Sequence, residues 1–428
     1  MRYAFALSLT GVCFVALAQP SRQPKKLTLA EAEAMALNNH PRAGSAALIA
    51  QAAKFGVSEA RAPLYPQLSG MVTGVAAEHG STLAAGSVQT SSLYSRVAAG
   101  VAVTQLITDF GRTGSLVASA KARAVAQDQN AANVRAAVRI VVDQAYYQAL
   151  AADAVLKVAQ AVSANRQLLL RQVRALAQSA LKSTLDVSFA EVAASEAELG
   201  LVHAENDARA AEAHLSAAVG SEQTEVFELT DEPLPTALDP DPEVLRVQAL
   251  KQRPDLAALQ ANRDAAQHFA QAEKDLSRPA IGLVGVAGAL PDTDPRLKST
   301  YSAAGFSVNI PILNGKLYAA RRTEAELRAQ AAEKDVQDLA VQVSEQVRLA
   351  WLEANTAFRR LDVTARLVTE AQQALRLAHA RYEIGLGSIV EVNQAQLSEV
   401  SAEIAAASAK YDYLSRRAAL AFVTGALR

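Results

Sequence analysis

The chain has 428 residues, 50% of them apolar but only 5% aromatic, and a formal net charge of -1. That balance offers nothing for nucleic acid to bind. An apolar content carried mainly by alanine suits helices packed at close range better than a large globular core.

The first residues, MRYAFALSLTGVCFVALAQP, combine Arg2, an apolar run from Ala4 to Leu17 and the small-x-small triplet Ala16-Leu17-Ala18. This is the pattern of a secretory leader, residues 1–18, cleaved after Ala18. The run is too short for a membrane anchor. Cys13, the one cysteine, falls inside the removed part. Thr10-Gly11-Val12 before it lacks the Leu-then-small residues of a lipidation site. The mature chain is then exported and without thiols, which excludes disulfides and thiolate metal sites. No later run reads as a transmembrane helix, so any membrane crossing has to be made by strands.

All fourteen prolines lie in clusters, at 20–66, 233–254 and 279–311. Proline costs about 3 kcal/mol in a helix interior, so the two proline-free stretches, 67–232 and 312–428, are where long helices can run. A first repeat is expected over 19–232: a helix, strands at about 67–78 and 93–107, and a long helical hairpin with its tip at about 178–184. QLSGMVTGVA is glycine-rich. LYSRVAAGVAVTQ alternates, with Leu93, Val97, Val101 and Val103 on one face against Tyr94, Arg96, Gly100 and Thr104. The polar SVQTSS segment reads as the loop before it. A helix from about Thr113 to Gln178 would extend roughly 100 Å, which implies a coiled-coil-like assembly.

A proline-rich linker is read at 233–248, followed by a second repeat over 249–428. Its strands are expected at about 280–290 and 300–313, joined by PDTDPRLKST, with the hairpin tip at about 383–388. In YSAAGFSVNI, Ala304, Phe306, Val308 and Ile310 oppose Tyr301, Ala303, Gly305, Ser307 and Asn309. Val336, Leu339, Val343, Val347 and Ala350 mark an apolar stripe on the following helix.

The halves match residue by residue. ALNNHPR at 36–42 pairs with ALKQRPD at 249–255, and Pro66 with Pro279 at the same offset. After the strands a second offset holds: Tyr146 meets Trp351, Ser183 meets Ser388, Leu215 meets Leu420 and Gly220 meets Gly425. Each half supplies two strands, hence four per chain. Backbone in lipid needs a closed barrel, and the smallest bacterial barrels have about eight strands. One copy cannot close, so several must share a barrel.

In this organisation the chain resembles the TolC-type outer-membrane efflux proteins, over essentially the whole mature sequence. The resemblance rests on LTLAEAEAMALNNHP (27–41), QLITDFGR (105–112), QRPDL (252–256), VNIPILNG (308–315) and ARYEIGLGSIVEV (380–392). It implies a mainly α fold with a membrane β part. Three copies would form a twelve-stranded barrel in outer-membrane lipid, continued by a periplasmic α-barrel of very long helices. It also implies a passive duct that serves a periplasmic adaptor and an inner-membrane transporter, in efflux or type I secretion, with no enzymatic activity and no cofactor. A coiled-coil periplasmic adaptor or scaffold without a barrel is the alternative. It explains the helices and the leader but not the four amphipathic strands.

The same resemblance makes the hairpin ends the adaptor-docking tips: Gly385, Leu386, Gly387 and Ser388 in the second half, and Ala180, Leu181 and Ser183 in the first. Gly385 and Gly387 are expected to take the positive φ of a helix end, and Ser388 to cap the next helix. GLGS follows a helix rather than a strand and ends without lysine, so it is not a phosphate loop. In the first half Ala180 and Lys182 stand where those glycines are, so the tips are unequal. Glu391 and Gln394 share a helical face at the place of the family's constriction carboxylates, and Asp186 corresponds to Glu391. Arg381 and Tyr382 are expected to bond across neighbouring helices to hold this gate shut. Solvated helix-face acids are the bland reading of the same residues.

Asp109-Phe110-Gly111 imitates a kinase magnesium motif without its partner residues and reads as a strand-to-helix junction. His203 and His214 have no further ligand to converge with, so no metal site is expected.

Overall fold

The computed structural model describes residues 25–76, 82–85, 88–92, 96–179, 181–223, 225, 227–234, 241–292 and 298–427. The leader at 1–18, Cys13, Ala180 and the expected strand residues 77–78 and 93–95 lie outside the described residues.

Strand β1 (Lys25–Leu27) leads into helix α1 (Leu29–Asn39). A capping box starts the helix: the Glu31 N–H donates to the Thr28 hydroxyl, and the Thr28 N–H to the Glu31 carboxylate. Pro41 opens α2 (Pro41–Arg61) at the first-turn position, where its missing N–H costs nothing. Then come β2 (Gln67–Val75), β3 (Thr82–Ala85), β4 (Val88–Ser92) and β5 (Arg96–Thr108). Helix α3 (Arg112–Gln178) turns back into α4 (Thr184–Ala218), and β6 (Phe227–Leu229) ends the first half. The second half runs α5 (Pro242–Gln252), α6 (Pro254–Lys274), β7 (Ala280–Asp292), β8 (Thr300–Asn309), α7 (Leu317–Glu383) and α8 (Ile389–Val423).

The internal repeat is visible in element lengths. The corresponding helices α1 and α5, α2 and α6, α3 and α7, and α4 and α8 have 11, 21, 67 and 35 residues in both halves. At 1.5 Å per residue α3 and α7 are each about 100 Å long. Each hairpin returns to its own half in the same way. Gly220 and Gly425, at φ +81° and +75°, lie against the backbone of Asn39–His40 and of Gln252–Arg253. These are the breaks between α1 and α2 and between α5 and α6.

Three expectations need correction. Residues 88–92 of the supposed polar loop pair with β3 as a short hairpin; their alternation was hidden by polar side chains. The linker is shorter than 233–248, because Asp241 caps a helix beginning at Pro242. The last strand stops at Asn309 rather than continuing to 313, since Pro311 has no N–H for a ladder.

β2, β5, β7 and β8 form one antiparallel sheet in that order. Directly paired residues share a face, so register decides what each side presents. Leu68 opposes Val103, Val101 opposes Ala287, and Leu283 opposes Phe306. This puts Leu68, Val72, Val101, Val103, Leu283, Phe306 and Val308 on one exposed apolar face. The other face carries Ser69, Thr73, Thr104, Tyr301, Ser307 and Asn309 among glycines and alanines, together with Met71, Val284 and Val286. β2 and β8 are the edges, each with a partner on one side. Below the sheet, α2 packs on α3, α3 on α6, and α6 on α7, repeating the strand order, so the sheet continues downward as one helical layer.

The two strand-to-helix junctions use residues with positive φ: Phe110 and Gly111 at 55° and 105°, Gly315 and Lys316 at 60° and 69°. The Asp109 carboxylate accepts the Thr113 N–H at 2.7 Å and so caps α3.

The largest core lies where α1, β1 and β6 meet the middle of α3 and the end of α4. It is built on Leu27, Val142, Tyr146, Leu215 and Val219, with Leu414 of α8 added. Elsewhere buried alanines line the helix seams. Small side chains allow the close approach that long paired helices need. Tyr146 shares its one hydroxyl proton between the carbonyls of Leu27 and Thr230, at 2.9 and 2.7 Å, and accepts the Thr230 N–H at 3.1 Å. It thereby ties the parallel β1–β6 pair to α3. Among the described residues no helix is long and apolar enough to cross a membrane.

Candidate functional site at the hairpin tips

The far end of the helical layer carries two tips that the sequence reads as equivalent but unequal. At the second, α7 closes with the Leu386 and Gly387 N–H groups donating to the Arg381 carbonyl at 2.8 and 3.0 Å, and the Gly385 N–H to Tyr382 at 3.2 Å. Gly385 has φ +76° with open space around it, so its role is conformational. Gly387 is different from the expectation: its φ is not positive, and it is needed for space. A Cβ there would meet the Glu391 carboxylate at 2.9 Å and the Arg381 Cβ at 3.1 Å. Ser388 caps α8 by accepting the Glu391 N–H at 3.2 Å.

At the first tip, Ser183 and Asp186 form a reciprocal capping box at the start of α4. The Ser183 N–H donates to the Asp186 carboxylate at 3.1 Å. The two corresponding acids therefore have different employment. Asp186 is held by its own helix end, whereas the Glu391 carboxylate lies 3.6 Å from Arg381. Both members of that pair are more than half exposed, so solvent screens it. Gln394 is exposed one turn behind Glu391.

Arg381, in the last turn of α7, thus reaches Glu391 in the first turn of the neighbouring helix α8 and donates to the Leu386 carbonyl at 3.2 Å. Tyr382 is buried against Ile389 and Val392, and its hydroxyl oxygen has no partner. Burial, and then the nearby Asp186 carboxylate, hold its phenol above the ordinary range. Around the tips Leu181, Leu185, Ile384, Leu386 and Val390 are exposed apolar side chains.

Sequence reasoning missed the groups that join the hairpins. Lys182 Nζ lies 3.5 Å from the centre of the Tyr382 ring and donates to the Tyr382 carbonyl at 3.3 Å. Further along the bundle, Arg166 of α3 reaches Asn393 of α8 at 3.5 Å. Burial lowers Arg166's affinity for its proton, and Glu196 and Glu399 oppose that shift. These contacts pair residues some two hundred positions apart, and no local pattern announces them. His203 and His214 are both exposed, and no metal-holding group of His, Cys, Asp or Glu occurs among the described residues.

An open four-stranded sheet with an exposed apolar face, continued by a single layer of very long helices, is the architecture of a membrane tunnel protein. The family model described as outer membrane efflux protein matches residues 34–221 and 245–426, one match to each half, and the chain belongs to that family. The chain is 27% identical over 342 residues to the outer membrane efflux protein BepC of Brucella suis, covering 76% of this chain and 71% of BepC. It is 24% identical over 376 residues to the outer membrane protein TolC of Escherichia coli, covering 84% and 74%. A membrane protein structure from Pseudomonas aeruginosa superposes with a TM-score of 0.80 at 21% identity, covering 93% of each chain. The protein is accordingly an outer-membrane efflux channel that extends into the periplasm, in a family of ducts rather than enzymes. The adaptor alternative leaves the sheet without a role.

Proposed function

We propose that three copies assemble through the free edges of β2 and β8. Each contributes four strands, twelve in all, around one bore. The apolar face meets outer-membrane lipid, the face of small and polar residues lines the bore, and the helical layers close into a periplasmic tunnel. Residues 1–18 act as the export leader, and 19–232 and 249–428 as the two structural repeats. The single observation that carries this reading is the open sheet with matched strand and helix order. Its apolar face needs lipid, and its two edges need partners that the chain itself does not supply.

In this assembly the tips form the regulated periplasmic entrance. Glu391, with Gln394 a turn behind, contributes one carboxylate per chain to a cation-favouring constriction. Asp186, Arg381 and Tyr382 shape the closed state around it. The exposed apolar residues at the tips, with Gly385, Gly387, Ser388, Ala180 and Ser183, form the face for a periplasmic adaptor, which brings the inner-membrane transporter. Cargo is selected by that transporter, and the duct is passive.

Cross-linking of the purified protein in detergent tests the assembly. A ladder ending at three chains supports it, and a monomer under the same conditions contradicts it.

A further inference from the structure

We propose that the cavity between the sheet and the first turns of the helical layer is a binding site for a small organic anion with an apolar body. Its place in the bore rests on the reading above, that the mainly small and polar face of the sheet lines the conduit.

The cavity has a volume of about 860 Å³, within the ordinary range of small-molecule sites. One face of α3 forms its wall, where Arg112, Leu116, Ala120 and Arg123 follow at three- and four-residue spacing. Gly56 and Ala60 of α2 leave room on one side, and Phe269 of α6 stands on the other. At the sheet end the lining includes Ala280 and its direct strand partner Asn309. Asn309 belongs to the mainly small and polar face, so the cavity lies on that side of the sheet.

Charge decides the occupant. Arg112, Arg123 and Arg278 line the cavity with Glu59, Asp109 and Asp275. The Asp109 carboxylate is taken by the Thr113 N–H. That of Asp275 is taken by Arg278 at 3.2 Å and by Gln271 at 3.1 Å. Arg278 also donates to the Phe110 carbonyl at 2.8 Å. Among the described residues neither Arg112 nor Arg123 has an ion-pair partner, and the Arg112 Nε is buried with no acceptor. A buried donor in that state is costly until an acceptor reaches it. Only Glu59, which is exposed, offsets these two cations. Guanidinium groups bind a carboxylate through paired hydrogen bonds. Phe269, with the Arg123 guanidinium 5.9 Å from its ring centre, and Leu116 offer surface for the apolar body. Lipid meets the opposite face of the sheet, so the occupant is a solute inside the conduit. The site lies at the other end of α3 from the tips and is separate from the entrance acids. Binding supplies no driving energy, so the duct stays passive.

The test is calorimetric titration of naphthoate into the purified, assembled channel, with naphthalenemethanol as the neutral probe. Block of single-channel current by naphthoate in planar bilayers is the second readout, and yield of assembled channel is the folding control. Arg123 is exposed, so Arg123→Gln reports on charge without disturbing a helix seam. The parent should bind naphthoate about tenfold more tightly than the neutral probe. Arg112→Gln and Arg123→Gln should each weaken naphthoate binding about tenfold, and Glu59→Gln should strengthen it. Unchanged binding in the Arg112→Gln, Arg123→Gln double variant overturns the site. Equal binding of the two probes, or no naphthoate binding by the parent, also overturns it. Arginine-dependent binding that leaves the current unblocked supports the anion site but overturns its place in the bore.

Discussion

The Tyr301 side chain lies across Gly288, its direct partner on β7, and reaches over Gly100 on β5, which pairs with Gly288 in turn. A Cβ built on Gly288 would come within 2.5 Å of the Tyr301 hydroxyl, and one on Gly100 would overlap it more severely. The two glycines make a shelf that lets a bulky ring lie along the small, polar face of the sheet instead of standing out from it.

If that face lines the bore, Gly288→Ala pushes the Tyr301 ring into the conducting path. The expected result is lower single-channel conductance, with an overpacking cost of about 1–3 kcal/mol where the ring cannot move. Adding Tyr301→Ala should clear the path and recover conductance in part, because the Ala99 carbonyl oxygen, 2.5 Å from the added Cβ, still forces the backbone to shift. A Gly288→Ala channel with parental conductance and unchanged stability would contradict the shelf.

Asp143 of α3 is 2% exposed, and one of its oxygens has no hydrogen-bond partner. Burial first, and then the facing Glu33 carboxylate, push its pKa up from 3.8 to about 8, with Arg139 opposing and Glu232 adding to the shift. The folded chain then keeps a proton that the unfolded chain releases above pH 4. Linkage therefore removes stability as pH rises through the window from about 4 to about 8. Asp143→Asn should flatten that dependence. Its melting temperature should exceed the parent's most clearly at pH 9 and differ least at pH 4. A parent and a variant whose melting temperatures follow pH in parallel across this range would exclude the retained proton.

Gly385 and Gly425 have nearly the same φ, +76° and +75°, but only Gly425 lies against other backbone, at 2.9 Å from Gln252 for an added Cβ. Gly385→Ala should cost only the conformational penalty of roughly 1–2 kcal/mol. Gly425→Ala should cost more, because it also drives apart the α8 end and the α5–α6 break. Thermal unfolding of the two variants checks the order, and equal losses would show that the close approach does not matter.

Glu391→Lys replaces an acid at the proposed constriction by a cation and dissolves the pair with Arg381. Reversal potentials in a salt gradient should show reduced cation preference. An unchanged preference would remove Glu391 from the conducting path.

The long helices were legible because prolines punctuate the chain and apolar residues recur at helical spacing, as at Val336, Val343 and Val347. The sheet was legible because residues 93–105 and 301–310 alternate and each has a glycine-rich partner just upstream. Strand ends were harder to place: Pro311 stops β8 early, and polar residues at 88–92 pair as a hairpin that no apolar alternation marks. At the tips, Ser388 announced its cap through its own helix start, whereas the Ser183–Asp186 capping box appeared only in the structure. Gly387 read as a turn residue although its neighbours, not its φ, require glycine. Lys182 read only as a departure from the repeat, because its partner Tyr382 is two hundred residues away and only the tertiary packing brings them together.

The central claim, that this chain forms a shared outer-membrane barrel opening into a periplasmic tunnel, is tested most directly by reconstituting the purified mature protein in planar bilayers. Stable single-channel currents are expected, from a protein recovered as trimers in the outer-membrane fraction. Recovery as a soluble monomer that conducts no current would contradict it.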